Sequence, residues 1–344
     1  MNKYHIFMAT AAWLIAMSAA TALDTIKTKT SGFLGKIVDT SPLKVELQLS
    51  NSRKEIPVNQ IETIFYDNEP GLLKNAKLAI LARRYDDGLN TLFRLKIEEI
   101  SREEIREDME FYTALATAQL AIARSDKVAD AGRLMIAFTK DYPNSYHYFQ
   151  ACEILGDLLV ANASYAAAEE YYAKVAKAPW PDYQMKVSVA IGRALLAQGK
   201  LDDALKTFEK VLANQSDDAL SQTQRQAAKI GKAAVLVAMN QNDEAIKLIE
   251  SIIHQADPDD ALTQGRAYNI LGNALRQKSK DKDALMAFLH VDLLYSSNAE
   301  AHAEALYNLA ELWEKFHKMD RAVRARQILE QQYKNSPWAQ RGGQ

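Results

Sequence analysis

The sequence predicts a mostly α-helical protein built from stacked helix pairs, with a small β-rich domain before them. Glycine and proline are scarce, at 13 and 8 of 344 residues, or about 4% and 2% against typical usage of roughly 7% and 5%. Strands joined by tight turns would need more of both residues. A motif of small and large apolar residues also recurs every 36–43 residues after position 69, whereas strand-like alternation is confined to residues 24–66.

Charge and composition exclude several classes of protein. The 42 basic and 44 acidic residues give a formal charge of −2, so no strongly basic surface for nucleic acid is expected. The composition is not that of a collagen-like, disulfide-rich or largely disordered chain. Cys152 is the only cysteine, so no internal disulfide can form. Its apolar helical surroundings predict a buried small hydrophobe.

Residues 1–22 have the organisation of a secretory signal. Lys3 precedes an apolar run at 6–17, and Ala20-Thr21-Ala22 has the small-residue form that signal peptidase accepts. We therefore expect cleavage before Leu23, without a lipid anchor, because no cysteine stands at the junction. The alternative is an uncleaved membrane anchor, since the uncharged segment approaches the length of a membrane span.

Residues 23–68 predict a small β-rich head. Val45, Leu47 and Leu49 alternate with polar residues, the period of a half-buried strand. Turn signals separate about five such segments, which suffices for a small SH3-like or Sm-like β-barrel. About a dozen apolar residues make a thin core for a domain without disulfides. We therefore expect the head to dock on the first helices.

The array predicted for residues 69–337 rests on copies of one motif, with residues 338–344 left as a tail. In one copy Gly192 and Leu195 are followed by Ala204 and Phe208. Two further copies have the same offsets, beginning at Gly156 and Gly272, and four are weaker. The small residues that define the seven copies are Gly88, Ala131, Ala168, Ala204, Ala245, Ala284 and Ala322.

The residue types of the motif explain how such copies would pack. Gly192 on a first helix and Ala204 on a second helix would let the two helices approach closely. Phe208 and Leu195 would then fill the space between neighbouring pairs. One pair alone exposes an apolar face, so stability must come from stacking.

The glycine or alanine, leucine or tyrosine, alanine and aromatic positions of this motif resemble the tetratricopeptide repeat (TPR) family over roughly residues 69–335. The observed spacing exceeds the family's 34-residue period. The resemblance implies an α-solenoid of about seven helix pairs whose first helices line a concave groove for a protein or peptide partner. Together with the signal and the head, the chain resembles exported bacterial TPR proteins that carry a small N-terminal β-domain.

Placing the sequence on the family pattern gives candidate groove residues. Arg266, Asn269, Asn273 and Arg276 would share one helix face. Neighbouring helices would add Tyr307, Asn308 and Glu311 on one side and Lys232 on the other. In the family pattern, Asn273 and Asn308 match asparagines that grip a peptide carboxylate, but the lysine and arginine of a following repeat are missing. The alternative is a solvated polar face with no specific ligand.

Motifs for catalysis, cofactors and metals are missing from the sequence. His302 with Glu304 and Glu311 does not place all three side chains on one helix face, so no metal site is expected. The charged run at 101–108 is interpreted as solvated helix surface. The aromatic residues of 142–149, and Trp180, are expected to pack between repeats.

These observations predict an exported, non-enzymatic TPR scaffold that binds a protein or peptide in the periplasm or cell envelope. No cofactor and no nucleic-acid partner are expected, and membrane contact is expected only if the N-terminal segment is retained. Two alternatives stay open. One is a membrane-tethered assembly factor with an uncleaved N-terminal helix, and the other is an enzyme with a site between head and array.

Overall fold

The computed structural model describes residues 23–342, in which five β-strands precede fifteen α-helices. The predicted signal segment, residues 1–22, lies outside the described residues. Within the described part, none of the helices is both long enough and apolar enough to cross a bilayer.

The head is an antiparallel sheet in the order β4-β3-β2-β1-β5. Its strands are β1 (Asp24–Thr28), β2 (Gly32–Thr40), β3 (Lys44–Gln48), β4 (Arg53–Pro57) and β5 (Ile61–Phe65). The five strands agree with the sequence prediction. The described sheet is open, because its edge strands β4 and β5 do not pair, and the closed barrel is not observed. Helices pack on the apolar core of the sheet instead.

Seven antiparallel helix pairs follow the head, as the seven motif copies predict. The pairs are α1 (Gly71–Leu81) with α2 (Tyr85–Leu92), α3 (Glu103–Arg124) with α4 (Val128–Asp141), α5 (Tyr148–Ala161) with α6 (Tyr165–Val175), α7 (Pro181–Ala197) with α8 (Leu201–Leu212), α9 (Ala219–Ala238) with α10 (Asn242–Gln255), α11 (Ala261–Gln277) with α12 (Asp281–Leu294), and α13 (Ala299–Lys315) with α14 (Met319–Tyr333). The expected tail contains a short helix, α15 (Pro337–Gly342), which packs on α13 and α14.

The small residues of the motif occupy the positions that close packing requires. All seven lie on the second helix of a pair and are buried. Phe208 of α8 packs against glycines on two helices: a Cβ atom would lie 2.7 Å from its ring at Gly192 of α7 and 2.3 Å from it at Gly231 of α9. Phe208 therefore joins its own pair to the next, as expected for the aromatic position.

The head docks on the first helix pairs, as its thin core predicts. Ile26 and Ile64 of the sheet share one apolar cluster with Leu73 of α1 and Phe111 of α3. Two ionic contacts reinforce the junction. In the first, Arg102 Nη1 lies 2.6 Å from Asp24 Oδ1. The second is made by a fully buried lysine on α1.

That lysine, Lys77, has no exposed surface and three oxygen partners. Its Nζ atom lies 2.5 Å from Asp108 Oδ2 on α3 and 2.7 Å from Glu69 Oε1, and it donates to the Ile64 carbonyl at 2.9 Å. Burial alone would raise the pKa of Asp108, but Lys77 and His147 hold it below its usual value. The interpretation of residues 101–108 as solvated surface is therefore wrong for Asp108, because a buried cation faces it.

The superhelix curves until its ends meet. Helix α3 contacts α13 and α14, which brings the second pair against the seventh. A cavity of about 810 Å³ at this junction is lined by residues 83–87 and 119–126 from one end and by 296–300 and 331–335 from the other. The array thus encloses a central space.

Candidate functional site

A channel of about 940 Å³ runs along the inner face of the superhelix. Most of its helical lining comes from the first helices of pairs four to seven, namely α7, α9, α11 and α13. Arg83, in the turn between α1 and α2, and Trp338 of α15 also line it, so both ends of the array contribute. We refer to this space as the channel.

Part of the channel lining is apolar. Val189 and Leu196 of α7, Ile230 and Val237 of α9, and Ile270 of α11 line it, and we call these five residues the apolar strip. Seven residues are close to two helical turns, so the pairs Val189 with Leu196 and Ile230 with Val237 each lie on one face of a helix. The strip therefore draws its residues from three neighbouring repeats.

Polar residues line the same channel, and two of them are predicted groove residues. Arg266 Nη2 of α11 lies 2.9 Å from Glu300 Oε2 of α13. Asn273 Nδ2 donates to Glu304 Oε1 at 2.7 Å. The positive charge of Arg266 lowers the pKa of Glu300. Burial raises the pKa of Glu304 to about 7, and Glu300 adds to this by repulsion, while the asparagine amides oppose it.

Three other predicted groove residues form hydrogen bonds between α11 and α13. They are Asn269, Arg276 and Asn308. Asn269 and Asn308 are only 1% and 3% exposed. Asn269 Nδ2 donates to the Ala301 carbonyl at 2.8 Å. The Arg276 guanidinium donates to Asn308 Oδ1, and Asn308 Nδ2 donates to the Glu304 carbonyl at 3.0 Å. The hydrogen bonds of Asn269 and Arg276 thus join α11 to α13, the first helices of two successive pairs.

The remaining predicted residues face other neighbours. The Tyr307 ring lies 5.6 Å from the Trp338 ring of α15, between centroids. Glu311 Oε1 lies 4.0 Å from Arg326 Nη2 of α14. Lys232 Nζ lies 2.9 Å from Glu209 Oε1 of α8 and is not among the residues that line the channel.

Sequence reasoning missed two arginines of the channel, Arg83 and Arg193. Arg193 follows Gly192 on α7, as Asn273 follows Gly272 on α11, so the repeat offset that found Asn273 could also have found Arg193. No such signal exists for Arg83. It reaches the channel only because the array curves until the second and seventh pairs meet, and it lies in a left-handed turn with φ of 61°.

The histidine and aromatic residues that the sequence analysis considered lie outside the channel, where they form hydrogen bonds or pack within the protein. His302 Nδ1 lies 2.9 Å from the Tyr333 hydroxyl, and Nε2 lies 2.9 Å from Asp292 Oδ1. Within residues 23–342, no three His, Cys, Asp or Glu side chains are placed to hold a metal ion. Tyr146, His147, Phe149 and Cys152 are buried, as expected from their apolar surroundings. The Phe149 ring lies 6.4 Å from that of Trp180, between centroids.

Comparison with known proteins agrees with this architecture. Residues 189–261, which include much of the channel wall, match the tetratricopeptide repeat family model. A tetratricopeptide repeat protein from Parabacteroides merdae superposes with a TM-score of 0.50 at 12% identity, covering 78% of this chain and 95% of its own. A Rap protein complexed with Competence and Sporulation Factor superposes with a TM-score of 0.54 at 11% identity, covering 76% and 74%.

At such low identity these two structures show a shared fold only. No protein with a curated functional description matches the sequence. The family match, the seven helix pairs and the shared fold lead to one conclusion. Residues 189–261 match the tetratricopeptide repeat family, and the helical array as a whole shares the fold of a protein of that family.

Proposed function

We propose that the protein is an exported scaffold that holds a segment of a partner protein in the channel, within the periplasm or cell envelope. The observation that carries this proposal is the channel itself. It is walled by the first helices of four successive repeats and has the volume of a typical ligand-binding cleft. The TPR fold is that of protein-interaction scaffolds, which agrees with such a role.

The mixed lining of the channel suits a peptide better than a small polar molecule. The apolar strip can receive side chains over three repeats, and Arg266, Asn273 and Glu304 present polar atoms in the same channel. Peptide-binding clefts combine an apolar surface with a few fixed polar groups in this way. The Rap protein, solved with Competence and Sporulation Factor, supports the use of this fold to hold a bound factor.

A binding role also suits the carboxylates of the channel. Glu300 is paired with Arg266, and Glu304 accepts hydrogen bonds from Asn269 and Asn273. These interactions fix the two side chains as parts of the wall. The export part of the proposal rests on residues 1–22, and contact with a membrane is proposed only for a chain that keeps that segment.

A photo-crosslinking experiment tests the proposal. A benzophenone side chain replaces Gln226, which lines the channel on α9, or Glu250, which is exposed on the second helix α10. After irradiation in the native cell, crosslinked proteins are identified by mass spectrometry. A partner captured from position 226 and not from position 250 is expected. The same set of proteins from both positions would contradict binding in the channel.

A further inference from the structure

We propose that the channel opens sideways where the two ends of the array meet, and that the bound segment enters there from within a longer chain. This inference rests on the proposed function and adds the kind of partner: a segment with folded protein on both sides, rather than a free chain end. We call the junction the seam. Residues 83–87 and 119–126 form one side of it, and residues 296–300 and 331–335 form the other.

The seam is not closed by polar bonds. Among the residues that the structure describes, no hydrogen bond or ion pair joins one side of the seam to the other. The polar groups have partners on their own side instead. Arg124 Nη2 of α3 lies 2.6 Å from Asp86 Oδ2 of α2. The Tyr333 hydroxyl of α14 lies 2.9 Å from His302 Nδ1 of α13.

The apolar cores on the two sides of the seam are also separate. Leu120 and Ile122 of α3 pack on the cluster that contains the head and the first three pairs. Tyr333 belongs to the cluster of the last two pairs. Successive pairs elsewhere share apolar side chains, as Phe208 does between α7 and α9. Parts of a chain that meet without a large apolar interface are free to move relative to one another.

The seam lies beside the channel. Arg83, Leu262, Arg266 and Glu300 line both the cavity at the seam and the channel. In a repeat array each pair packs mainly on its neighbours, so small rotations between successive pairs add up to a large displacement of the ends. Separation of the two sides of the seam would therefore open the channel along its side while every helix pair stays folded.

A side opening decides which segments can bind. A chain end can thread into a channel whose wall is unbroken, but a segment between two folded domains cannot, because neither flank can pass through. With the seam open, such a segment can enter sideways and leave its folded flanks outside. Closure of the seam behind it would then hold the segment in the channel.

The test locks the seam in the full chain. Ala123 of α3 and Gln332 of α14 line the seam cavity from opposite sides, and the charge of Arg124 acts on Tyr333 beside them. A bis-maleimide joins the two cysteines of the Ala123→Cys/Gln332→Cys variant across the seam. Cys152 is fully buried and should not react.

A matched control carries the same crosslink without spanning the seam. In Gln327→Cys/Gln331→Cys the reagent joins two exposed positions one turn apart on α14. Mass spectrometry verifies each crosslink, and circular dichroism verifies that each protein is folded. A third variant, Ala234→Trp, fills the channel.

Two phage-displayed libraries of random 12-residue peptides supply the probes. One library presents the peptides at a free N-terminus, and the other presents them between two folded domains. Binders are selected on the unlocked chain and produced as soluble fusions in the same two formats. Fluorescence anisotropy then measures their affinity and their rate of release.

We expect both libraries to yield binders that Ala234→Trp weakens. Locking the seam first should weaken the probes held between domains by more than about tenfold, because the open state that they need is no longer populated. Free-ended probes should bind the locked chain as before. Locking the seam after binding should trap the probes held between domains, and the control crosslink should change neither format.

The contrary outcomes separate the two proposals. Probes held between domains that enter and leave the locked chain as fast as the control would overturn sideways entry and leave the scaffold function standing. Binders from the free-ended library alone would do the same. Binders that are unaffected by Ala234→Trp, or no binders from either library, would overturn both.

Discussion

Replacing Lys77 by methionine should destabilise the junction between head and array. Methionine keeps most of the aliphatic volume but removes the charge that faces Asp108 and Glu69. Removing one partner of a buried ion pair typically costs about 3–5 kcal/mol, because the other charge is left buried. Asp108 retains contacts to His147 and to the Tyr146 hydroxyl. We therefore expect a loss near the lower end, about 3 kcal/mol.

Urea unfolding followed by circular dichroism measures this loss. Lys74→Met is the matched control, since Lys74 lies on the same helix and is exposed. The control should change the free energy of unfolding by less than about 0.5 kcal/mol. In the Lys77→Met background, Asp108→Asn should restore part of the stability because it removes the unpaired charge.

The pH dependence gives a further check on the same reasoning. Without Lys77, the pKa of Asp108 in the folded state should rise above that of the unfolded chain. A group with a raised folded pKa stabilises at low pH, and its contribution is lost as pH rises. The deficit of Lys77→Met should thus shrink at acidic pH. A loss as small as that of Lys74→Met, at every pH, would refute a stabilising role for the network.

Three other predictions concern the array, the channel and the N-terminus. Ala204→Leu should overpack α7 against α8 and cost roughly 1–3 kcal/mol, whereas an unchanged melting curve would contradict the repeat register. The pKa of Glu304, about 7, lies above the ordinary 4.5, so its contribution to stability is present at acidic pH and lost as pH rises through 7. Between pH 5 and 8 the free energy of unfolding of the wild type should fall, and Glu304→Gln should reduce that fall by about 1 kcal/mol after solvent screening. Urea titrations that give both proteins the same dependence on pH would contradict this. Mass spectrometry of the protein from native cells should find Leu23 as its first residue, while a chain beginning at Met1 would favour the membrane-tethered alternative.

The helix pairs were predictable because their packing follows local rules. A small residue is required wherever two helices cross closely, and this requirement recurs with each repeat. The buried positions of Ala204 and Ala284 are therefore visible in the sequence. Alternation of apolar and polar residues likewise located the strands of the head.

The channel was only partly predictable, because its shape depends on the rotation that accumulates from one helix pair to the next. Each pair is rotated slightly relative to the last, and motif spacing does not record that rotation. Arg83 and Glu300 thus line the same channel although 217 positions separate them. Arg266 and Asn273 line the channel, but their partners on α13 could not be read from spacing. Asp108 was assigned to solvent because the buried Lys77 lies on another element.

The contact between the second and seventh pairs also changes how the array can open. In a linear solenoid each terminal repeat lacks one neighbour, so thermal opening begins as fraying at the ends. Here α3 of the second pair rests against α13 and α14 of the seventh, so the last pair gains part of its missing neighbour. Backbone amides of α3 and α13 should then exchange with solvent at similar rates, because release of one end exposes the other. Opening should therefore be cooperative, because separating α3 from α13 and α14 exposes both parts of the array at once.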